Sequence, residues 1–221
     1  MIIKRTNLVL LLIVLTAIAA AAAERLTYHS WEKGQLTTSE TTVKRTAEGY
    51  LFEGYSWAGQ SITRTDAEFN TLLVEMFRPG RPERITLKRK GNIINFKGPW
   101  KGEQINEDIK VDSTPWLSSP FLLIDFIRSE DKEKKFYMIL IHDQSATKFK
   151  AIKEGSEEIE VNGIKTRALK VKVTLDDWRG MFWSSYYWFR PSDGIMVRSK
   201  ETRGPPGTPE TLVELAKEVE E

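Results

Sequence analysis

Short runs of alternating polar and apolar residues, cut by tight-turn signatures, restrict this chain more than any other feature. In "ALKVKVTL", Leu169, Val171, Val173 and Leu175 share one face of an extended strand, and Lys170, Lys172 and Thr174 share the other. "RITLKRK" repeats the pattern with Ile85 and Leu87, and "TTSETTVKRT" reads as a threonine-rich strand with one wet face. A period of two belongs to half-buried strands, and β-branched threonine suits such a surface. Turn signals stand between the runs: Ala-Glu-Gly at 47–49, Arg-Pro-Gly-Arg-Pro at 78–82, Gly-Asn at 91–92, Asn-Gly at 162–163 and Ser-Asp-Gly at 192–194. Spacing this close favours antiparallel hairpins over crossover helices.

Four runs are apolar on both faces: "YLFEGYSW", "TLLVEMF", "KFYMILIHD" and "MFWSSYYWF". A sheet with one face on a core and the other in water does not need that, so the second face is covered or lines a cavity. The last run is the extreme case. Trp183, Ser185, Tyr187 and Phe189 fall on one face, and Phe182, Ser184, Tyr186, Trp188 and Arg190 on the other. Each buried aromatic ring removes about 150–250 Å² from water, so one row suffices for a core. The second row packs under a helix or lines a pocket.

One helix is expected, near 119–129, in "LSSPFLLIDFIRSED". Ser119 stands at the N-cap and Pro120 at the first helical position, where helix starts favour them. Phe121 to Ile127 is apolar apart from Asp125, so the helix is buried against the sheet. Asp125 reads as its one exposed edge, the alternative being a buried carboxyl with a raised pKa. In the tail, Thr208, Pro209 and the spacing of Leu212, Leu215, Ala216 and Val219 carry a local helical signal. A strand through Val213 and Leu215 is the alternative.

The N-terminus reads as a secretory signal peptide over 1–23. Lys4 and Arg5 precede the apolar run Leu8–Ala23, and Ala21 and Ala23 supply an Ala-x-Ala cleavage pattern before Glu24. The exported chain, 24–221, is then a single β-rich domain that does not span a membrane. Without Lys4 and Arg5, the 33 basic residues become 31, matching the 31 acidic ones. A neutral chain has no global field to draw nucleic acid. There are 0 cysteines, which removes disulfides, thiolate metal sites, thiol catalysis and a lipidated cysteine.

Taken together, the Ser-Ser-Pro helix, "KKFYMILIHD", "GSEEIEV", "KTRALKVKV", "FWSS" with its strand ending in Arg-Pro, and "GIMVRSKE" resemble an exported bacterial family, domain of unknown function 3108. The resemblance covers roughly 110–215. That family is similar in shape to the half-barrel lipoprotein carriers of the bacterial envelope. It implies a curved antiparallel sheet around a helix, a closing strand at 211–215 and a periplasmic or secreted location. The carriers use such a concavity for acyl chains, whereas the unknown-function family brings no assigned activity.

Chemistry leaves few handles. Only His29 and His142 exist, and no nucleophile, phosphate-loop or paired-histidine spacing appears. On a strand, His142 and Asp143 point to opposite faces, which argues against a relay. Asp176 and Asp177 before Trp178 read as turn formers; paired carboxylates in a hydrolase are the alternative. In "RPGRPERITLKRK", Arg84, Lys88 and Lys90 are candidates for anionic headgroups, against a reading as charges that guard a sheet edge.

The sequence therefore predicts a mainly β protein: a strongly curved antiparallel sheet, half-barrel to barrel, enclosing one short buried helix. The expected function is non-enzymatic binding of a lipid or other apolar small molecule, with no cofactor and no metal. The lining candidates are Trp183, Tyr186, Tyr187, Trp188, Phe121 and Ile124. The alternatives are an envelope protein-interaction module and a carboxylate-dependent hydrolase.

Overall fold

The computed structural model describes residues 23–78, 80–81, 83–100, 102–202 and 209–220. Residues 1–22 of the leader expected over 1–23, and the Thr208 cap, lie outside the described residues. Strands β1 (Glu24–Glu32), β2 (Gln35–Arg45), β3 (Tyr50–Ser56), β4 (Gly59–Thr65), β5 (Thr71–Phe77), β6 (Arg84–Lys90), β7 (Ile93–Trp100) and β8 (Glu103–Lys110) come first. A 3-10 turn (Pro120–Leu122) and helix α1 (Ile124–Arg128) follow. Then come β9 (Glu133–Leu140), β10 (Ser145–Val161), β11 (Ile164–Leu175), β12 (Ser184–Phe189), β13 (Met196–Thr202) and β14 (Glu210–Glu220).

All fourteen strands form one curved antiparallel sheet in the order β8-β7-β6-β5-β4-β3-β2-β1-β14-β13-β12-β11-β10-β9. The tail is thus a strand and not a helix. Val213 and Leu215 turn into the core, and pairing with β1 on one side and β13 on the other outweighs the local helical spacing.

The sheet does not close by pairing β8 with β9. The segment after β8 bridges the gap instead. Trp116 makes an isolated parallel bridge with Tyr137. The Tyr137 N–H donates to Pro115 O at 2.7 Å, and the Leu117 N–H donates to Tyr137 O at 2.9 Å. The Thr71 N–H donates to Trp116 O at 2.8 Å. Arg89 fixes the same segment, donating to the carbonyls of Thr114 and Asp112 at 2.8 Å each. Lys148 pairs with Asp112 across the seam at 2.5 Å, which holds the Asp112 carboxyl well below the usual carboxylate range.

The interior holds two apolar clusters. One gathers the inner faces of β10–β14 and β1 around α1; the other gathers β5–β8, Trp116 and the seam. This explains why "KFYMILIHD" is apolar on both sides. Phe136 and Met138 enter the first cluster, and Tyr137, Ile139 and Ile141 enter the second. Strand β9 is a wall between two cores.

The helix is shorter than the sequence pattern implies, and it is broken. Ser119 Oγ accepts from the Phe121 N–H at 3.2 Å, as a cap should. The chain then makes a 3-10 turn before five α-helical residues. Leu122, Leu123 and Ile124 are consecutive and all buried; a regular helix would turn one of three neighbours away from the core. Asp125 is about half exposed, 3.9 Å from Lys134, so it forms the exposed edge of the helix.

The helix rests on the β12–β13 turn. Gly194 there has φ +74°, and a Cβ would meet Ile124 Cγ2 at 2.9 Å and Ile124 O at 3.2 Å. Gly194→Ala is therefore expected to lower the unfolding free energy by about 1–3 kcal/mol, measured by urea denaturation. An unchanged midpoint would mean that the helix does not depend on this contact.

Candidate functional site

The concave face is not filled by the helix. Along strands β2–β5 runs a groove of three adjoining cavities, of about 520, 270 and 390 Å³; the helical segment borders the second and third, and Trp100, Ile141 and His142 border the first. The first two share Thr41, Gly54, Ser61, Met76 and Ile141. The second and third share Thr41, Phe52 and Phe121.

Register explains the floor. Thr41, Gly54, Ser61, Met76 and Ile85 are successive cross-strand partners from β2 to β6, and Val43, Phe52, Thr63, Val74 and Leu87 form the next row. The first row starts with three small side chains, so the sheet recedes from the helix there. The second row is bulkier and more apolar. Thr63 Oγ1 lies 3.5 Å from Ser118 Oγ, so the hydroxyls are partnered on an otherwise greasy wall.

Phe121 stands at the centre. Its ring lies 5.6 Å from that of Tyr28 and 6.5 Å from that of Tyr187, and it borders the second and third cavities. Ile124 borders the third. The other four sequence candidates do not meet the groove. Tyr187 is core behind Phe121. Trp183 packs edge-on to Phe149 and donates from Nε1 to Thr202 O at 2.8 Å.

Tyr186 and Trp188 point to the convex side. A neighbouring strand's long side chain covers them: Lys170 Nζ lies 4.7 and 5.8 Å from their ring centroids. Trp188 Nε1 also donates to Glu157 at 2.6 Å.

Sequence reasoning missed several wall residues. Thr41 and Ser61 look like wet-face positions in an alternating strand, and Gly54 looks like a weak point. Phe69 carries no sequence signal. It is buried with φ +61°, a conformation that is rare for a bulky residue. Asp66 holds its turn by accepting from the N–H groups of Glu68 and Asn70 at 2.9 Å each. The ring stacks on Tyr50 at 4.3 Å and borders the third cavity.

The remaining candidates separate. Arg84, Lys88 and Lys90 are exposed on β6, which lies inside the sheet between β5 and β7. The edge-guarding reading is therefore corrected, and the charged edge is β8, with Glu103, Glu107 and Asp108. His142 and Asp143 lie in the turn beyond β9 and do meet, at 2.8 Å and well exposed. They are not held on opposite faces because the strand ends at Leu140. Asp177 caps a turn, accepting from the Arg179 N–H at 2.8 Å. Among the described residues, no group of three or more His, Asp or Glu is placed to hold a metal.

A carboxylate pair does occur, at the mouth of the third cavity. Glu24 hydrogen-bonds Glu218. Glu218 is gripped by Arg190 through two contacts of 2.8 and 2.9 Å, and Arg190 also reaches Asp193 at 2.6 Å. Burial, the Glu218 hydrogen bond and its charge push Glu24 up to about 7, while Arg190 holds Glu218 down. Direct contact leaves no gap for a sugar, whose hydrolysis needs carboxyls about 5 Å or more apart.

No family model and no curated relative matches the sequence. Among solved structures, a β-barrel-like protein of domain of unknown function 1849 from Brucella abortus is similar over 91% of this chain and 98% of its own. Its TM-score is 0.63 and its identity 12%. That likeness is one of fold. The hypothetical lipoprotein YmcC from Escherichia coli (TM-score 0.40, 10% identity, 90% of this chain and 87% of its own) is a more distant likeness. A LolA superfamily protein from Nitrosomonas europaea (TM-score 0.28, 8% identity, 90% and 84%) is more distant still.

The Glu24–Glu218 contact sets a pH dependence. A carboxyl protonated in the folded chain but ionised in the unfolded one makes folding take up a proton, so stability falls as pH rises from about 4.5 towards about 7. The depressed Glu218 acts oppositely, at lower pH. In a chain keeping residues ahead of Glu24, the Tm is expected to drop by roughly 2–4 °C between pH 5 and 7.5, after discounting for solvent screening. Glu24→Gln should flatten that drop; an equal drop in the variant would assign it elsewhere.

Proposed function

We propose that this chain is a non-enzymatic envelope protein that holds an apolar, lipid-like ligand in the groove between its helix and strands β2–β5. The observation that carries this reading is the unfilled groove itself. Its three cavities each fall near or within the range of small-molecule sites, about 300–1,000 Å³, and they join end to end along one wall. An elongated ligand suits that shape better than a compact one. Each methylene moved from water into such a site contributes about 0.8 kcal/mol. Phe121 and Ile124 line the groove from the helix side, and Phe52, Phe69, Val74 and Met76 from the sheet side. The proposal includes cleavage before Glu24, a periplasmic or secreted location, and membership of domain of unknown function 3108.

Native mass spectrometry of gently purified protein should reveal a co-purified lipid. Displacement of an apolar fluorescent dye should then give an affinity. Gly54→Leu tests the location, because its side chain grows from the narrow floor shared by two cavities. The nearest obstacle to a Cβ is the Ser61 hydroxyl at 2.7 Å, which can rotate away. Dye binding is expected to weaken at least tenfold while the circular dichroism spectrum stays unchanged. A wild-type chain that retains a protein partner and binds neither lipid nor dye would favour the interaction-module reading and overturn this one.

A further inference from the structure

Successive antiparallel strands put all the odd-to-even turns at one end of the sheet and all the even-to-odd turns at the other. The two ends differ sharply. Leu36, Tyr55, Trp57, Trp178, Met181 and Phe182, which are 55%, 48%, 79%, 70%, 76% and 63% exposed, all belong to the end that carries the β1–β2, β3–β4 and β11–β12 connections. At the opposite end Ile164 alone exceeds 40% among the described large apolar residues.

We propose that the odd-to-even end docks on the surface of a lipid bilayer with anionic headgroups. Three observations select that partner. The apolar side chains gather at three separate connections, on them or on the adjoining strand ends, and not along one groove, so a fluid surface that meets each connection independently suits them better than a single peptide or helix. Two are tryptophans, whose indoles combine an apolar body with a polar N–H and favour the headgroup level. The β5–β6 hairpin at the same end carries Arg78, Arg81 and Arg84 against Glu83, a local excess that suits anionic lipid.

Docking this way sets the mouth of the first cavity, bordered by Tyr55, Arg78 and Trp100, against the membrane. Membrane contact rests on the rim alone and does not require the groove to hold cargo.

The absence of cysteine allows a direct test in the full chain. Met181→Cys and Ile164→Cys are each labelled with an environment-sensitive fluorophore and mixed with phosphatidylethanolamine–phosphatidylglycerol vesicles. The expected result is a blue shift with at least a twofold rise in emission at 181 and none at 164, weakened by salt. In a Trp178→Ser/Phe182→Ser background the response at 181 should fall at least fivefold. Equal responses at both sites, or none at 181, overturn the proposal. A blue shift at 181 that appears without vesicles and grows with protein concentration also overturns it, in favour of an interface between copies. Dye binding to the groove is read separately, so neither proposal's failure is mistaken for the other's.

Discussion

A sheet of this length, bent until its ends approach, has more concave surface than five helical residues can cover. That mismatch governs the rest of the molecule. The helix is committed to the β10–β13 side, where consecutive buried residues from Leu122 to Ile124 and the Gly194 turn fix it. The far side is served by a second apolar cluster at the seam. What neither reaches is the strip along β2–β5, where Thr41, Gly54 and Ser61 keep the floor low. The groove follows from a helix that is too small for its sheet.

The seam shows how the fold handles its own ends. Unpaired strand edges invite association, and here the two edges are treated differently. Strand β8 carries acidic side chains, so it repels a second strand. Strand β9 is apolar and cannot be left bare. The segment 112–118 satisfies both backbone groups of Tyr137, and Arg89 holds that segment through its carbonyls. Main-chain hydrogen bonds from a connecting loop do here what strand-to-strand pairing does in a closed barrel.

Much of the architecture was legible in the residues because period two is a local signal. The strands, their turns, the Ser119–Pro120 helix start and the crowding of aromatics on β12 follow from neighbours in sequence. The misses are non-local. The tail's own spacing signals a helix, a strand stood only as the alternative and as what the resemblance implies, and pairing with β1 and β13 decides for the strand. Tyr186 and Trp188 looked like pocket residues because nothing in their own segment announces Lys170 on the adjacent strand. The groove floor was invisible for a related reason. Small and hydroxylated side chains read as solvent-facing until register lines them up across three strands, and Phe69 owes its place to a turn that Asp66 organises.

The first and last described strands, β1 and β14, are partners in the middle of the sheet and not at its margins. This splice joins the β1–β8 half to the β9–β14 half, and it is the contact of greatest separation along the polypeptide. Closing so long a loop is entropically costly and comes late. A chain made N-terminus first thus cannot settle β1 into its final pairing until β14 is available.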